Sequence, residues 1–200
     1  MGKNGKKFPR VVLASRNPGK VKELTSLLSP CAETMLSLIH FPELTLVAET
    51  GSTYEENAIA KAKFAVEGTG LPAIGEDTGL EIDALDHAPG LLTRRWAGTD
   101  VDRIRRVLTA LDGMPPSKRG ARFVCAVAFA EPDGKVVTAK GVWKGKIAVE
   151  PRGRDGFGYD PIFIPDGKRR TNAEISITEK NCISHRALAI KALFKRLHIA

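Results

Sequence analysis

The stretch RVVLASRNPGKVKELTSLLS, residues 10–29, decides the class of fold. Its first six residues form a short β-branched, apolar run, which is typical of a buried strand. The polar segment RNPGK follows, and then Val21, Leu24 and Leu28 recur at the spacing of one helical face. A strand, a polar turn and a helix in this order predict an α/β unit.

The remaining segments extend this unit into a mixed sheet flanked by helices. Strands are predicted at 44–49, on both sides of an acidic turn within 71–85, and in a hairpin formed by 121–130 and 135–147. Helices are predicted at 53–68 with Gly68 as the stop, at 100–113 with Val101 on the apolar face, and at 179–197. We expect residues 1–200 to be a single domain, with residues 1–9 as a disordered basic tail.

Composition limits the classes of function. The longest apolar run, FVCAVAFA at 123–130, is too short to cross a bilayer, so no membrane partner is expected. Three widely spaced cysteines without a CxxC pair argue against a disulfide framework and predict a cytoplasmic protein. The net charge of +8 suits an anionic partner, although a generally basic surface explains it equally well. Few aromatics and scattered basic residues argue against a stable nucleic-acid partner.

The segment ASRNPGK, residues 14–20, lies where a strand gives way to a helix, which is a natural site for phosphate. It lacks the first Gly and the Ser/Thr of the Walker phosphate loop, so it is not that motif. A different phosphate cradle would use Ser15 and Asn17 as short donors, Gly19 for close backbone approach and Lys20 as the cation. An ordinary Asn-Pro-Gly turn is the alternative.

The acidic segment EDTG, residues 76–79, stands between two apolar runs. Adjacent carboxylates at the end of a strand suit Mg²⁺, which takes one or two carboxylates together with phosphate oxygens and water. A turn with two exposed acids is the alternative, because Asp and Glu beside Gly usually lie at the surface.

Two further segments carry aromatic and cationic residues. In GFGYDP, residues 156–161, Phe157 or Tyr159 is suited to stack on a base and Asp160 to accept hydrogen bonds from its edge, although a glycine-rich hairpin would look alike. In EKNCISHR, residues 179–186, Lys180 and Arg186 would point roughly 240° apart on one helix at about 100° per residue. Either some of these charges lie at the surface, or the helix breaks or begins here.

Together these motifs resemble the non-canonical purine nucleoside triphosphate pyrophosphatases, which hydrolyse inosine and xanthosine triphosphates. The resemblance runs nearly end to end and includes LASRNPGKVKEL, ETGSTYEENAIAKA, AIGEDTGLEIDAL, APGLLTRRWAG, GFGYDPIF and EKNCISHRALA. It implies an α/β fold with an elongated mixed sheet, two lobes with the active-site cleft between them, and a homodimer.

The resemblance also implies roles for individual residues. Asp77 would be the catalytic base and a metal ligand, Glu49 would complete the Mg²⁺ site, and Glu76 is a further possible ligand. The triphosphate would lie against the phosphate segment, Ser15, Arg16, Asn17, Pro18, Gly19 and Lys20, with Thr78 touching the substrate. The base would be surrounded by Phe157, Gly158, Tyr159, Asp160, Lys180, His185 and Arg186. We expect Arg186→Ala to lower the selectivity among purine bases more than it alters folding.

The implied activity is the Mg²⁺-dependent hydrolysis of ITP, dITP and XTP to the nucleoside monophosphate and pyrophosphate, which cleanses the nucleotide pool. The alternative is a pyrophosphatase for other modified nucleotides, as in the related septum-inhibitor family.

Overall fold

The computed structural model describes residues 7–45 and 48–199. Within these residues the chain forms six strands and five α-helices. The strands are β1 (Phe8–Leu13), β2 (Ala32–Ser37), β3 (Ala73–Ile82), β4 (Gly120–Ala130), β5 (Val136–Ile147) and β6 (Phe163–Pro165). The α-helices are α1 (Pro18–Leu28), α2 (Tyr54–Thr69), α3 (Asp100–Ala110), α4 (Ile177–Ile183) and α5 (His185–Leu197).

The strands form one mixed sheet in the order β2-β1-β3-β4-β5-β6. Strand β1 pairs in parallel with β2 and with β3, whereas β5 pairs with β6 in antiparallel fashion. The turn between β4 and β5 is closed by hydrogen bonds from Glu131 N to the Lys135 carbonyl oxygen and from Gly134 N to the Glu131 carbonyl oxygen, as the hairpin prediction requires. The predicted α/β class and the mixed sheet are confirmed.

The chain divides into two compact units, and the division passes through β3, β4 and β5. The first unit comprises the described residues up to Asp77, Cys125–Gly141, and those from Arg186 onward. Its largest apolar core joins β1, α1, the first half of β3 and α5, with Leu13, Leu24, Ile74 and Leu193 almost fully buried. The second unit comprises Thr78–Val124 and Val142–His185. Its core, which includes Leu80, Val107, Phe123, Trp143 and Phe163, is separate from that of the first unit.

The acidic segment is not a turn. Residues 73–82 form one continuous strand, β3, where the sequence analysis predicted two strands about a bend. Glu76 and Asp77 are both buried, and since successive side chains of a strand point to opposite faces, the two carboxylates point away from each other. Gly79 therefore lies inside a strand, so the predicted turn is wrong and the alternative of two exposed acids is excluded.

Several predicted boundaries differ from the structure. Helix α2 continues through Gly68 and ends at Thr69, because Gly70 adopts the left-handed conformation that closes the helix. Val101 is 64% exposed, and Val107 packs into the core in its place. The predicted C-terminal helix breaks at Ser184, which is extended between α4 and α5.

Two predictions concern residues that the structure describes only in part. Phe8 and Pro9 belong to β1, so the predicted disordered tail does not reach residue 9, and residues 1–6 lie outside the described part of the chain. In the strand predicted at 44–49, the described residues 44–45 and 48–49 are not in a strand, and 46–47 lie outside the described residues.

Helix α2 lies unusually close to β3. A Cβ atom added to Gly75 would be 2.0 Å from the Ala58 carbonyl oxygen and 2.7 Å from Ala62 N. Ala58 and Ala62 are fully buried against Ala128 on β4 and other small side chains. The contact needs small residues on the helix and glycine on the strand, and it fixes the distance of α2 from Asp77.

We expect Gly75→Ala to destabilise the protein by about 2–3 kcal/mol, because the new methyl group would overlap backbone atoms that cannot move without displacing α2. The free energy of unfolding in a denaturant titration measures this. Gly98→Ala is the matched control, since a Cβ at Gly98 meets nothing within 4 Å. Equal stabilities of the two variants would contradict the close approach.

Candidate functional site

The segment between β1 and α1 forms an ordered helix N-terminus. Asn17 precedes the helix, and its Oδ1 accepts a hydrogen bond from Lys20 N at 3.0 Å. Asn17 N donates to Ser15 Oγ at 3.2 Å, and Pro18 lies in the first turn, before Gly19. A helix N-terminus presents backbone amides and the positive end of the helix dipole. The side chains of Ser15 and Asn17 thus order the loop and occupy the amides of Lys20 and Asn17. The positive end of the α1 dipole still favours an anion at this position.

Arg16 is engaged with a neighbouring loop. Its Nη2 donates to the carbonyl oxygens of Phe41 and Leu44, at 2.8 and 2.7 Å. A third, longer hydrogen bond goes to the Pro42 carbonyl oxygen at 3.3 Å. The guanidinium therefore holds the segment that follows β2.

Asp77 and Glu49 meet at one ammonium group. Lys61 Nζ lies 2.5 Å from Glu49 Oε1 and 3.2 Å from Asp77 Oδ1. It also donates to the backbone oxygen of Glu76 at 3.1 Å. The Lys61 side chain is 13% exposed and that of Asp77 is 7% exposed, so both charges are largely removed from water. The structure thus brings together the two carboxylates that were predicted as metal ligands.

The environment of Asp77 shifts its pKa. Burial disfavours the charged carboxylate and raises the pKa of Asp77, while Lys61, the hydrogen bond from Asn57 and Lys20 partly offset this effect. Asn57 Nδ2 donates to Asp77 Oδ2 at 2.9 Å. Burial lowers the pKa of Lys61, but the charges of Asp77, Glu49 and Glu76 outweigh it and leave that pKa raised. An aspartate that is held by two donors and prefers protonation more than usual suits a general base.

Glu76 belongs to a different cluster on the opposite face of β3. Its Oε2 lies 2.6 Å from Lys20 Nζ, and its Oε1 lies 3.1 Å from Arg186 Nε. Arg186 Nη1 also lies 2.9 Å from Glu23 Oε2. The side chains of Glu23, Glu76 and Arg186 are each no more than 4% exposed. The structure does not bring the Glu76 carboxylate to the pair formed by Glu49 and Asp77.

In the second unit, two carboxylates hold the loop that contains residues 156–160. Asp160 Oδ2 accepts from Phe157 N at 2.9 Å, and Asp100 Oδ2 accepts from Gly158 N at 3.0 Å. Gly156 adopts φ 79°, and a Cβ there would lie 2.1 Å from Asp160 Oδ2. The glycines predicted as part of a base platform thus allow a tight loop that is anchored to α3.

The two predicted base-contacting residues Asp160 and Lys180 pair with each other. Lys180 Nζ lies 2.5 Å from Asp160 Oδ2, and both side chains are 4% exposed. Asn172 Nδ2 donates to Asp160 Oδ1 at 3.2 Å. The same ammonium lies 5.1 Å from the centroid of the Phe157 ring, within the range of a cation–π contact. Lys180 therefore supports the Phe157 ring and neutralises the carboxylate that shapes the loop.

The remaining predicted residues of the second unit are Tyr159, His185 and Thr78. Tyr159 is buried and donates its hydroxyl to the Thr93 carbonyl at 3.1 Å. His185 stacks on Phe123 with ring centroids 4.7 Å apart and planes 14° apart. Thr78 is half-buried on β3, next to Asp77. His185 and Tyr159 are thus fixed by the core.

Sequence reasoning missed Asn57 and Lys61, the two residues of α2 that contact Asp77. They lie four positions apart, so they share one side of the helix. Ala58, Ala62 and Ala65 form the neighbouring small-residue face. The signal available in the sequence was the position of Asn57 and Lys61. They border a helical stripe of small residues, and that stripe packs on the strand that carries the two acids.

Two further features of the described residues concern metal ions and membranes. No group of three or more His, Cys, Asp or Glu side chains is arranged to hold a metal ion among them. In the same part of the chain, every helix falls short of the length and apolarity that crossing a bilayer requires.

Comparison with known proteins identifies relatives over nearly the whole chain. A dITP/XTP pyrophosphatase of Frankia alni is 46% identical, with 92% of this chain and 95% of the relative covered. A dITP/XTP pyrophosphatase of Desulforamulus reducens is 45% identical, with 95% and 98% covered.

Solved structures give the same result. The HAM1 protein from Coxiella burnetii matches with a TM-score of 0.84 and 44% identity, covering 96% of this chain and all of that one (100%). The Ham1 protein of Staphylococcus aureus matches with a TM-score of 0.81 and 36% identity, covering 94% and 98%. The model of the Ham1 family matches residues 11–196. The chain therefore belongs to the Ham1 family.

Proposed function

We propose that this protein hydrolyses the non-canonical purine nucleoside triphosphates ITP, dITP and XTP to the monophosphate and pyrophosphate, and so cleanses the nucleotide pool. Membership of the Ham1 family and the activity in the names of its relatives support this proposal. The observation that carries it is the convergence of Glu49 and Asp77 on one cation.

We further propose Mg²⁺ as the cofactor, held by Glu49 and Asp77. The donor set fits, because two carboxylates that already share one cation are what Mg²⁺ takes from a protein when substrate phosphates and water supply its other ligands. When bound, the ion supplies charge stabilisation at the phosphate oxygens. Glu76 is a poorer candidate ligand, since Lys20 and Arg186 contact its oxygens.

Asp77 is the group that would take a proton from the attacking water. Asn57 holds its Oδ2 and Lys61 lies at its Oδ1, so the carboxylate has a fixed orientation. Attack at the α-phosphorus breaks the bond to the pyrophosphate leaving group. The Lys20 ammonium and the positive end of the α1 dipole would stabilise the negative charge that develops on the phosphate oxygens.

The second unit would contact the base through the 156–160 loop, with the Phe157 ring stacking on the base. A hydrogen-bond donor that faces the 6-oxo group would select inosine and xanthosine. An adenine presents an amine there and leaves such a donor unpaired, which costs about 1–3 kcal/mol, or roughly ten- to a hundredfold in specificity. Lys180, His185 and Asp160 act mainly by fixing this loop and its surroundings, because each is buried and packed or paired.

One assay tests the function. The purified protein is incubated with Mg²⁺ and ITP, XTP, dITP, GTP, ATP or a methylated pyrimidine triphosphate, and pyrophosphate and orthophosphate are measured separately. We expect pyrophosphate from the first three substrates and no turnover when a chelator removes the metal. Orthophosphate alone would contradict attack at the α-phosphorus, and a preference for the modified pyrimidine would favour the septum-inhibitor-like activity.

We expect Lys61→Met to lower kcat/KM by about a hundredfold, because it removes a cation from the reacting carboxylates. Lys61 lowers the pKa of Asp77, so its loss raises that pKa further and moves the acid side of the pH–rate profile to higher pH. The pH profile of kcat/KM measures both effects. Lys63→Met is the control, since Lys63 is exposed on the same helix. An unshifted acid limb would show that Lys61 does not act on Asp77.

Two further parts of the proposal are a homodimer and a cytoplasmic location. The resemblance supports the dimer, and the cysteine pattern supports the compartment. Light scattering on the purified protein measures the mass in solution, and a monomer at micromolar concentration would contradict the dimer.

A further inference from the structure

Glu76 is a buried carboxylate that binds two cations at once. Its Oε2 lies 2.6 Å from Lys20 Nζ and its Oε1 lies 3.1 Å from Arg186 Nε. The Glu76 side chain is 2% exposed, whereas that of Lys20 is 20% exposed. The carboxylate is therefore enclosed by protein, and one of the two cations that it holds is accessible from outside.

The charges around Glu76 form a balanced set. Arg186 has a second carboxylate, Glu23, whose Oε2 lies 2.9 Å from Nη1. Two cations, Lys20 and Arg186, thus face two anions, Glu23 and Glu76. Because Glu23 contacts Arg186, it can neutralise that guanidinium without Glu76, whereas Glu76 is the carboxylate that the structure pairs with Lys20.

Lys20 lies in the first turn of α1, where the positive end of the helix dipole favours an anion. A polyphosphate that approaches this turn meets an ammonium already paired with a carboxylate. An ion pair with one partner exposed to water is weaker than a fully buried pair and can exchange its anion. The carboxylate and a phosphate group are thus competitors for the same cation.

We propose that Glu76 is a positioning residue that serves as the internal counter-anion of Lys20. It holds the ammonium in place in the nucleotide-free protein and gives it up to the triphosphate. The inference rests on the proposed function for its substrate. Its consequence is that Glu76 weakens the binding of polyphosphates and speeds the release of pyrophosphate.

Inorganic tripolyphosphate is the probe, and calorimetric titration without metal measures its Kd. We expect Glu76→Gln to tighten binding about tenfold, because it removes a negative charge within a few ångström of the bound anion. Glu23→Gln is the matched control: it removes an equally buried carboxylate from the same Arg186 guanidinium but not the partner of Lys20. We expect it to change the Kd less than about twofold. Equal tightening in both variants, or none in Glu76→Gln, would overturn the proposal.

Turnover separates this role from a structural one. Glu76→Gln is expected to lower both KM and kcat for ITP, because the substrate and the pyrophosphate product are held more tightly. Glu76→Asp keeps the charge but withdraws it from Lys20 by one methylene, so its kcat and its Kd for tripolyphosphate should lie between those of the wild type and Glu76→Gln. A purely structural Glu76 would instead give a less stable protein that binds tripolyphosphate more weakly in the Gln variant.

Three outcomes remain to be distinguished. If Glu76→Gln does not fold, Glu76→Asp replaces it in the test. The Asp side chain is shorter by one methylene and so lies farther from Lys20. An unchanged Kd for tripolyphosphate in this variant would reject the proposal. If the Kd pattern is as expected but no nucleotide is hydrolysed, the proposed function fails while the competition at Lys20 stands. If tripolyphosphate binds neither the wild type nor the variants, the proposed competition itself is refuted.

Discussion

Asp77→Asn is expected to reduce ITP turnover by about a thousandfold or more while leaving the protein folded and able to bind nucleotide. The amide has the same shape as the carboxylate, but it cannot take a proton from water and carries no charge for a metal ion. Asn57 and Lys61 both contact the Asp77 carboxylate, so the substitution changes the chemistry at a position whose geometry is already fixed.

The measurement is pyrophosphate release under single-turnover conditions, together with a nucleotide-binding titration. Asp83→Asn is the matched control, because Asp83 follows the same strand but its side chain is 63% exposed. We expect wild-type rates from the control. Near-normal ITP hydrolysis by Asp77→Asn would show that another group activates the water.

Arg186→Ala is expected to destabilise the protein by about 3–5 kcal/mol, because it leaves the buried carboxylates of Glu23 and Glu76 without their shared guanidinium. This differs from the expectation drawn from the sequence, which placed the effect in base selection more than in folding. The reason is burial: Arg186 is 4% exposed, and the structure pairs it with two carboxylates of its own unit.

Urea denaturation measures this loss, and Arg105→Ala provides the control. Arg105 also pairs with a carboxylate, that of Asp102, but its side chain is 71% exposed, so its loss should cost less than about 1 kcal/mol. A similar small cost for Arg186→Ala would mean that Glu23 and Glu76 find other partners or become protonated. Base preference can then be compared among ITP, GTP and ATP in the variant.

The class of fold was predictable because its signals are local. The apolar run, the polar turn and the helical spacing in residues 10–29 correctly predicted β1, the loop and α1. The break in the C-terminal helix was also predictable from the sequence, because Lys180 and Arg186 would point in different directions on one helix. The structure breaks the helix at Ser184 and gives the two cations different carboxylates.

The acidic strand was less predictable because its stability depends on distant partners. Glycine beside two acids is typical of a turn, and local chemistry gave no reason to bury them. In the structure, Lys61 and Asn57 compensate Asp77, while Arg186 and Lys20 compensate Glu76. Burial is the largest cause of the raised pKa of Asp77. The periodicity of the sequence does not reveal ion pairs and hydrogen bonds between residues so far apart in the chain.

The alternation of side chains along β3 restricts insertions and deletions within this strand. A deletion or insertion of one residue upstream of Glu76 within the strand would turn every following side chain to the other face. The Asp77 carboxylate would then point towards the Arg186 cluster and its neighbour towards α2. A substitution within β3 can have a small or a large effect on the fold, whereas an insertion or deletion reverses the faces of the strand. Natural variants of this segment should therefore differ in residue type and keep a constant number of residues. The 131–135 turn between β4 and β5 has no such constraint and is the place where length variation should be tolerated.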